Sequence, residues 1–304
     1  MKSGPFIHSG HTTQRLMVIT TLAMLPMMAA SIWINGFDAV ILLAASILSV
    51  LAMEVVCKWR ITFEYNALVV GILLALMLPA NATWWIAVLG AIIAIGVGKY
   101  LFGGLGQNIF NPAVLARVLL MTLFPAIFIL PQWVVDGFSG ATMLSKEVGA
   151  AMPSLSALFF TPGPGSLAQG MPIAVLLGGV ILLVYKIIDW RDPLFYFATI
   201  ALLALLLPGS DQITGHAPHL LGNPLLHIVA GGSLLTAFFL LTDPVTSPYS
   251  SNGRVVFAII AGVFTMIIRY YTPYPDGAAF GVLLANAMVP AIDKYMLKSV
   301  VSTT

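Results

Sequence analysis

A threonine hydroxyl in a polar segment is the first feature of this chain that could do chemistry. The string Asp-Gly-Phe-Ser-Gly-Ala-Thr at residues 136–142 ends on Thr142, which directly follows Gly140 and Ala141. An ordinary turn does not require this string, and small neighbours leave room for an enzyme to reach the hydroxyl. We therefore predict that Thr142 is an attachment point for a covalently bound group.

Polar breaks in apolar sequence are the second candidate. Three of them are rich in proline and glycine, at residues 103–112, 242–248 and 271–277. Asn111 and Asp276 each precede an apolar run, which predicts helix N-caps, with Pro112 at the first helical position. Two interpretations stay open. The breaks are well-capped helix ends, or their backbone N–H groups face a polar ligand.

Charged residues within apolar sequence need a reason, because burying a charge in a membrane is costly. Arg117 lies about two turns into the helix that follows Asn111. It either neutralises an anionic ligand, such as a phosphate or a reduced flavin, or extends toward the inner surface. Glu54 and Lys58 have i,i+4 spacing, which favours a surface ion pair over an ion-pathway carboxylate.

Several other chemistries are disfavoured by spacing. The glycines at 103–106 follow no predicted strand, so a dinucleotide-binding loop is excluded, and close approach of helices or of a flat ring is the favoured reason for them. The single Cys57 cannot hold an iron–sulfur cluster. Three histidines lie in or near one predicted outer loop, at His216, His219 and His227. Their spacing matches no zinc signature.

Composition places these residues in a membrane protein. The 304 residues are 60% apolar and 8% charged, whereas soluble domains carry about 25% charged residues. A transmembrane helix needs about 20 mostly apolar residues. Ten stretches qualify, several of them short, at 16–34, 39–57, 65–80, 85–102, 112–130, 171–187, 193–208, 225–242, 255–271 and 277–293.

Lysine and arginine are distributed unevenly among the predicted loops. With a cytoplasmic N-terminus and ten spans, the inner loops receive Lys2, Arg15, Lys58, Arg60, Lys99, Lys186, Arg191, Arg254, Lys294 and Lys298. This positive-inside bias predicts that both termini are cytoplasmic and that the Thr142 loop is extracytoplasmic.

An internal repeat is indicated by a shift of 165 residues, which aligns Pro79 with Pro244 and Asn111 with Asp276. A chance match of apolar segments is the alternative. Five spans per half would invert the second copy, as in many transporters. We predict an all-α integral membrane protein of about ten helices in two inverted five-helix repeats with broken or short helices. The units are residues 1–130, a loop at 131–170, and residues 171–304.

Four motifs together resemble one family over essentially the whole chain. They lie at residues 9–15, 98–112, 136–142 and 242–248. The chain is similar to the D subunit of the Rnf complex, an ion-translocating ferredoxin:NAD oxidoreductase, and to the related B subunit of the sodium-translocating NADH:quinone reductase. The short N-terminal segment before the first span favours the Rnf branch.

The resemblance implies specific cofactors. Thr142 would carry FMN through a phosphoester, with Ser139, Gly140 and Ala141 completing the attachment motif. The quinone-reductase branch also holds a noncovalent riboflavin. The asparagines of that branch fall on the positions of Asn108 and Asn111 in this chain. Arg117 is the candidate that would neutralise an anionic cofactor.

The resemblance also implies a function. We expect a flavoprotein subunit of the bacterial inner membrane that passes electrons to or from a peripheral flavoprotein at the outer face. Iron–sulfur subunits and the lipid bilayer are further expected partners. We expect no binding of nucleic acid. Electron transfer would be coupled to Na⁺ or H⁺ translocation, and we expect no catalysis by the subunit alone. A small-solute channel or transporter without a redox role is the alternative, but it leaves the Thr142 string unexplained.

Overall fold

The computed structural model describes residues 13–58, 65–129, 134–135, 138–139, 159–160, 162–163, 165–207, 223–272, 274 and 276–301. Helices dominate these residues, and the ladder pairing among them is one two-residue hairpin and one isolated bridge. The prediction of an all-α fold class is therefore confirmed for the part of the chain described.

The named helices of the described residues vary in length from three to 46 residues. In chain order they are α1 (Thr13–Lys58), α2 (Tyr65–Met77), α3 (Trp84–Ala91), α4 (Pro112–Leu123), α5 (Pro125–Ile129), α6 (Pro172–Val184), α7 (Arg191–Leu206), α8 (Pro224–Val229), α9 (Ser233–Leu235), α10 (Ser251–Tyr271) and α11 (Gly277–Val301). π-Helical turns extend α3 and α9, over Ile92–Val97 and Thr236–Leu240, and a 3₁₀ turn spans Tyr100–Phe102. The hairpin pairs β1 (Val134–Val135) with β2 (Phe138–Ser139).

Three of the described helical segments are long and apolar enough to cross a membrane. They are Thr13–Lys58, Trp84–Phe102 and Ser251–Tyr271. The apolar helices α2, α4 and α6 are shorter, as expected for a protein with short or broken helices. Membrane-spanning helices are thus supported, whereas the number of crossings, the inverted repeats and the unit boundaries stay predictions.

Helix α1 is two helices joined at Gly36. A straight helix of 46 residues would be about 69 Å long, twice the hydrocarbon core of a bilayer at roughly 30 Å. Gly36 instead has φ 59° and ψ −134°, which breaks the helix. Leu16 and Lys99 line the same cavity, and Glu54 bonds Lys99. The two arms of α1 therefore return to the same level, as a hairpin.

Helices α4 and α11 lie side by side in opposite directions. The backbone N–H of Asn111 donates to Asn286 Oδ1 at 3.2 Å. Further along α4, Arg117 Nη2 lies 3.0 Å from Asp276 Oδ2, at the start of α11. Residues nearer the C-terminus of α4 therefore lie beside residues nearer the N-terminus of α11, so the two helices are antiparallel. This arrangement places the break before α4 beside the middle of α11.

The turn at Gly36 generates a prediction. A side chain at φ 59° is strained, and an added Cβ would meet no atom within 4 Å, so the cost of Gly36→Ala is a backbone cost of about 1–3 kcal/mol. Gly96 also has open space at its Cβ position but lies in the π-helical turn after α3. We expect Gly36→Ala to lower the thermal unfolding midpoint in detergent and the control Gly96→Ala to leave it unchanged. Equal midpoints for the two variants would contradict a strained turn.

Candidate functional site

Two of the predicted breaks meet at one cavity. It has a volume of ≈ 80 Å³, and we call it the break cavity. Its polar lining comes from Asn66, Lys99, Asn108, Asn111, Thr242 and Asp243, and its apolar lining includes Val69, Val70, Leu73, Phe238 and Phe239. Polar groups thus face a space that is otherwise apolar, which is the usual composition of a small-molecule site.

The first break is a glycine turn. Gly103, Gly104 and Gly106 have φ of 110°, 101° and 89°, a region that favours glycine because a Cβ is strained there. A Cβ on Gly104 or Gly106 would meet no atom within 4 Å. Close approach of a helix is therefore not what requires these two glycines, and the backbone angle is the reason that the structure shows. The approach of a flat ring stays a prediction. The turn leads to Asn108, which is buried and lines the cavity.

Asn111 caps α4, as the sequence predicts. Its Oδ1 accepts the backbone N–H groups of Ala113 at 3.1 Å and of Val114 at 3.3 Å. Pro112 occupies the first helical position, where its missing N–H costs nothing. Since Oδ1 is engaged by the helix, the side-chain group that Asn111 can present to a ligand is its Nδ2 amide.

The second break is organised by Asp243. Its carboxylate accepts the Thr246 hydroxyl at 2.9 Å, the Val245 N–H at 3.5 Å and the Asn111 Nδ2 amide at 3.4 Å. The contact with the Val245 N–H resembles an N-cap, although turns rather than a helix follow Asp243. Within the described chain, no lysine or arginine forms an ion pair with Asp243. Asp243 therefore brings to the cavity wall a carboxylate that has no cationic partner among the described residues.

Lys99 reaches the cavity with its charge already paired. Its Nζ lies 2.8 Å and 3.0 Å from the two carboxylate oxygens of Glu54, and Tyr100 donates to Glu54 at 2.7 Å. Lys58 is 3.3 Å from the same carboxylate. The predicted ion pair of Glu54 with Lys58 is therefore present, but its predicted location at the surface is wrong, because Glu54 and Lys99 are each only 1% exposed. The carboxylate lies in the interior, and Lys99 is buried rather than exposed in an inner loop.

Arg117 lies away from the break cavity and does not extend to the surface. It is buried, it pairs with Asp276, and its guanidinium lies 4.2 Å from the centroid of the Phe128 ring. Asp276 immediately precedes α11, as expected of a helix start, but its carboxylate is engaged by Arg117. The structure therefore does not bring Arg117 together with Asn108 and Asn111.

Two buried polar residues were missed by sequence reasoning. Arg269 donates to the carbonyl oxygens of His227 at 2.7 Å and Gly231 at 2.8 Å, and to Ser233 Oγ at 2.8 Å. It thereby satisfies the unwound backbone between α8 and α9. Asn286 is fully buried and bonds both breaks. A lone polar residue in an apolar helix was the available signal for each.

The predicted covalent site is described only in part. Ser139 pairs with Val134 at the end of the hairpin, whereas Gly140, Ala141 and Thr142 lie outside the described residues. His216 and His219 also lie outside them. His227 is buried in α8 and its ring stacks on Tyr270 at 5.8 Å. In the described part of the chain, no group of three or more metal-ligating side chains is assembled.

These features define an all-helical membrane protein whose candidate ligand cavity lies between interrupted helices. The chain belongs to the NQR2, RnfD, RnfE family, whose model matches residues 1–302. It is 37% identical to the D subunit of the Na⁺-translocating ferredoxin:NAD⁺ oxidoreductase complex of Acetobacterium woodii, over 100% of this chain and 95% of the relative. It is 38% identical to the D subunit of the ion-translocating oxidoreductase complex of Stutzerimonas stutzeri, over 93% and 90%. For the D subunit of the same kind of complex in Escherichia coli K12 the identity is 35%, over 96% and 95%.

The buried pair of Glu54 and Lys99 yields a stability prediction. Glu54→Gln removes the carboxylate that pairs with the buried Lys99 ammonium among the described residues, and Lys99→Met leaves Glu54 with Lys58 and the Tyr100 hydroxyl. Removing one partner of a buried pair costs about 3–5 kcal/mol. We expect Glu54→Gln to be the more destabilising single change, and the double variant to lose less than the sum of both. Thermal unfolding in detergent of wild type, both single variants and the double variant measures this coupling. If the two single losses of stability add up to the loss in the double variant, the buried pair is not coupled.

Proposed function

We propose that this chain is the membrane-embedded flavoprotein subunit of an Rnf-type electron transport complex. The family match spans all four motifs of the chain, and the named relatives are D subunits of ion-translocating oxidoreductase complexes. In this proposal the chain carries FMN on Thr142, and its electron transfer is coupled to Na⁺ or H⁺ translocation. Its partners are the other subunits of the complex, including a peripheral flavoprotein at the outer face and iron–sulfur subunits.

The location follows from the charge distribution. Lysine and arginine concentrate in the loops assigned to the cytoplasm, so both termini are proposed to be cytoplasmic and the Thr142 loop extracytoplasmic. For a bacterial complex this corresponds to the inner cell membrane. A flavin on Thr142 would then face the side from which a peripheral partner can approach.

The break cavity is the observation that best supports a second, noncovalent flavin. An isoalloxazine ring has one edge of carbonyl and N–H groups and one apolar end. The lining residues offer groups for both parts, and the cavity of ≈ 80 Å³ would have to widen to admit the whole ring. Asn108, the Asn111 Nδ2 amide and the Asp243 carboxylate provide donors and acceptors, and Phe238 and Phe239 provide apolar surface. When bound, the flavin supplies the redox chemistry, while the protein positions the ring and tunes its potential.

The charges around the cavity would affect a flavin ring that becomes more negative when it is reduced. Helix α4 points its N-terminus at the break, and the helix dipole there favours negative charge even though Asn111 caps the first N–H groups. Lys99 is held by Glu54, so it adds little net charge. The Asp243 carboxylate opposes negative charge and can accept a ring N–H. These residues would therefore bind and orient the ring, with α4 favouring its reduced form and Asp243 limiting that preference.

The covalent assignment is tested by flavin fluorescence after denaturing electrophoresis. The full chain is expressed in a host that has the flavin transferase. We expect a fluorescent band for wild type and none for Thr142→Ala, because the phosphoester needs that hydroxyl. Ser145→Ala removes a hydroxyl three residues beyond Thr142 and outside the attachment motif, and should stay fluorescent. A dark wild-type band would contradict the flavoprotein assignment, and a fluorescent Thr142→Ala band would contradict the residue.

The noncovalent flavin is tested by acid extraction of the purified protein. Asn111→Ser keeps an oxygen that can cap α4 but removes the amide. Asn223 caps α8 in the same manner, with Oδ1 accepting from Leu225 at 3.0 Å and Leu226 at 3.2 Å before a proline at the first position. Asn223→Ser is therefore a matched control.

We expect wild type and Asn223→Ser to release flavin, and Asn108→Ala and Asn111→Ser to release less. One lost hydrogen bond corresponds to roughly a fivefold to tenfold weaker affinity. Equal release from all four proteins would place the flavin elsewhere. A wild type that releases none would contradict a noncovalent flavin without affecting the Thr142 assignment.

A further inference from the structure

Asn286 is a fully buried amide on the otherwise apolar face of α11. It is 0% exposed and is flanked in sequence by Ala285 and Ala287. An amide carries two donors and two acceptor sites, and burying it without partners is unfavourable. Its position is therefore explained by what it bonds.

Both ends of the Asn286 side chain bond backbone groups that no helix satisfies. Its Oδ1 accepts the N–H of Asn111 at 3.2 Å, and its Nδ2 donates to the carbonyl oxygen of Thr246 at 3.0 Å. In a capping box, a Glu or Gln at the third helical position accepts the N-cap N–H. That position in α4 is Val114, which has no acceptor. Asn286 supplies the missing acceptor from another helix.

These bonds close a ring across three segments of the chain. Asn286 joins Asn111 to Thr246, the Thr246 hydroxyl donates to Asp243 at 2.9 Å, and the Asn111 amide donates to Asp243 at 3.4 Å. Asn111 and Asp243 line the break cavity, and Asn286 and Thr246 stand behind them. A fully satisfied buried network is rigid and specifies one arrangement.

We propose that Asn286 is the positioning residue that clamps the two breaks together and so fixes Asn111 and Asp243 at the cavity wall. Its effect on flavin rests on the proposed function, whereas the clamp itself does not. Without the amide, the N-terminus of α4 and the turn after Asp243 would each lose their external bond. The cavity would then lose its fixed spacing of polar groups.

The clamp is tested by amide hydrogen exchange on the full chain in nanodiscs. Asn286→Leu keeps the approximate volume and removes both bonds, and Asn286→Ala removes them without added methyl groups. The control is Ser31→Ala, which removes another fully buried inter-segment bond, from Ser31 Oγ to the Leu167 carbonyl at 2.9 Å.

We expect peptides from residues 103–116 and 242–248 to exchange about tenfold faster in both Asn286 variants, and at the wild-type rate in Ser31→Ala. Unchanged exchange in these two segments, or faster exchange spread over the whole chain, would overturn the clamp.

The same variants are tested for flavin. Acid-extractable flavin should bind about tenfold more weakly in Asn286→Leu, while covalent flavin is retained in full. Because Asn286 acts through Asn111 and Asp243, the double variant with Asn111→Ser should lose less affinity than the product of the two single losses. If the affinity loss of the double variant equals the product of the two single losses, or if Asn286→Leu binds flavin as tightly as wild type, Asn286 does not position the flavin site. If wild type holds no extractable flavin, the proposed function fails on that point, and the exchange data still decide the clamp.

Discussion

A membrane-embedded chain that interrupts its helices must satisfy the exposed backbone groups with its own side chains. Water is absent from the hydrocarbon region, so each unpaired N–H or carbonyl is costly there. In this protein Asn111, Asp243, Thr246 and Asn286 meet that requirement at two breaks at once. The cavity exists because these bonds allow polar, irregular backbone to persist between packed helices.

The same constraint explains the other buried polar groups. Arg269 satisfies the carbonyl groups between α8 and α9, and Arg117 balances Asp276 where α11 begins. Glu54 and Lys99 join α1 to the segment that leads into the first break. Each buried charge of this kind therefore stands beside an interruption, where it holds the ends of helices together. Asp243 differs in having no cationic partner among the described residues, and its carboxylate is held by Thr246 and Asn111 instead.

The sequence predicts local features of this site well, because their causes are local. Asn111 before Pro112 determines a helix start through a side-chain cap and a fixed backbone angle, and both are seen. Contacts between distant residues were not predictable from one sequence. Glu54 and Lys99 are 45 residues apart, so the spacing predicted only the nearer partner of Glu54, Lys58, which also pairs with it. The role of Asn286 depends on which helix packs beside α4, and spacing along the chain does not contain that information.

We propose that the two breaks form one flavin site, and an electron cryomicroscopy map of the assembled complex, purified with its flavins, tests this arrangement. Density for an isoalloxazine ring is expected in the break cavity, in contact with Asn108 and Asp243 and separate from the flavin proposed on Thr142. A cavity filled by side chains or lipid, with every noncovalent flavin of this subunit bound elsewhere, would contradict it.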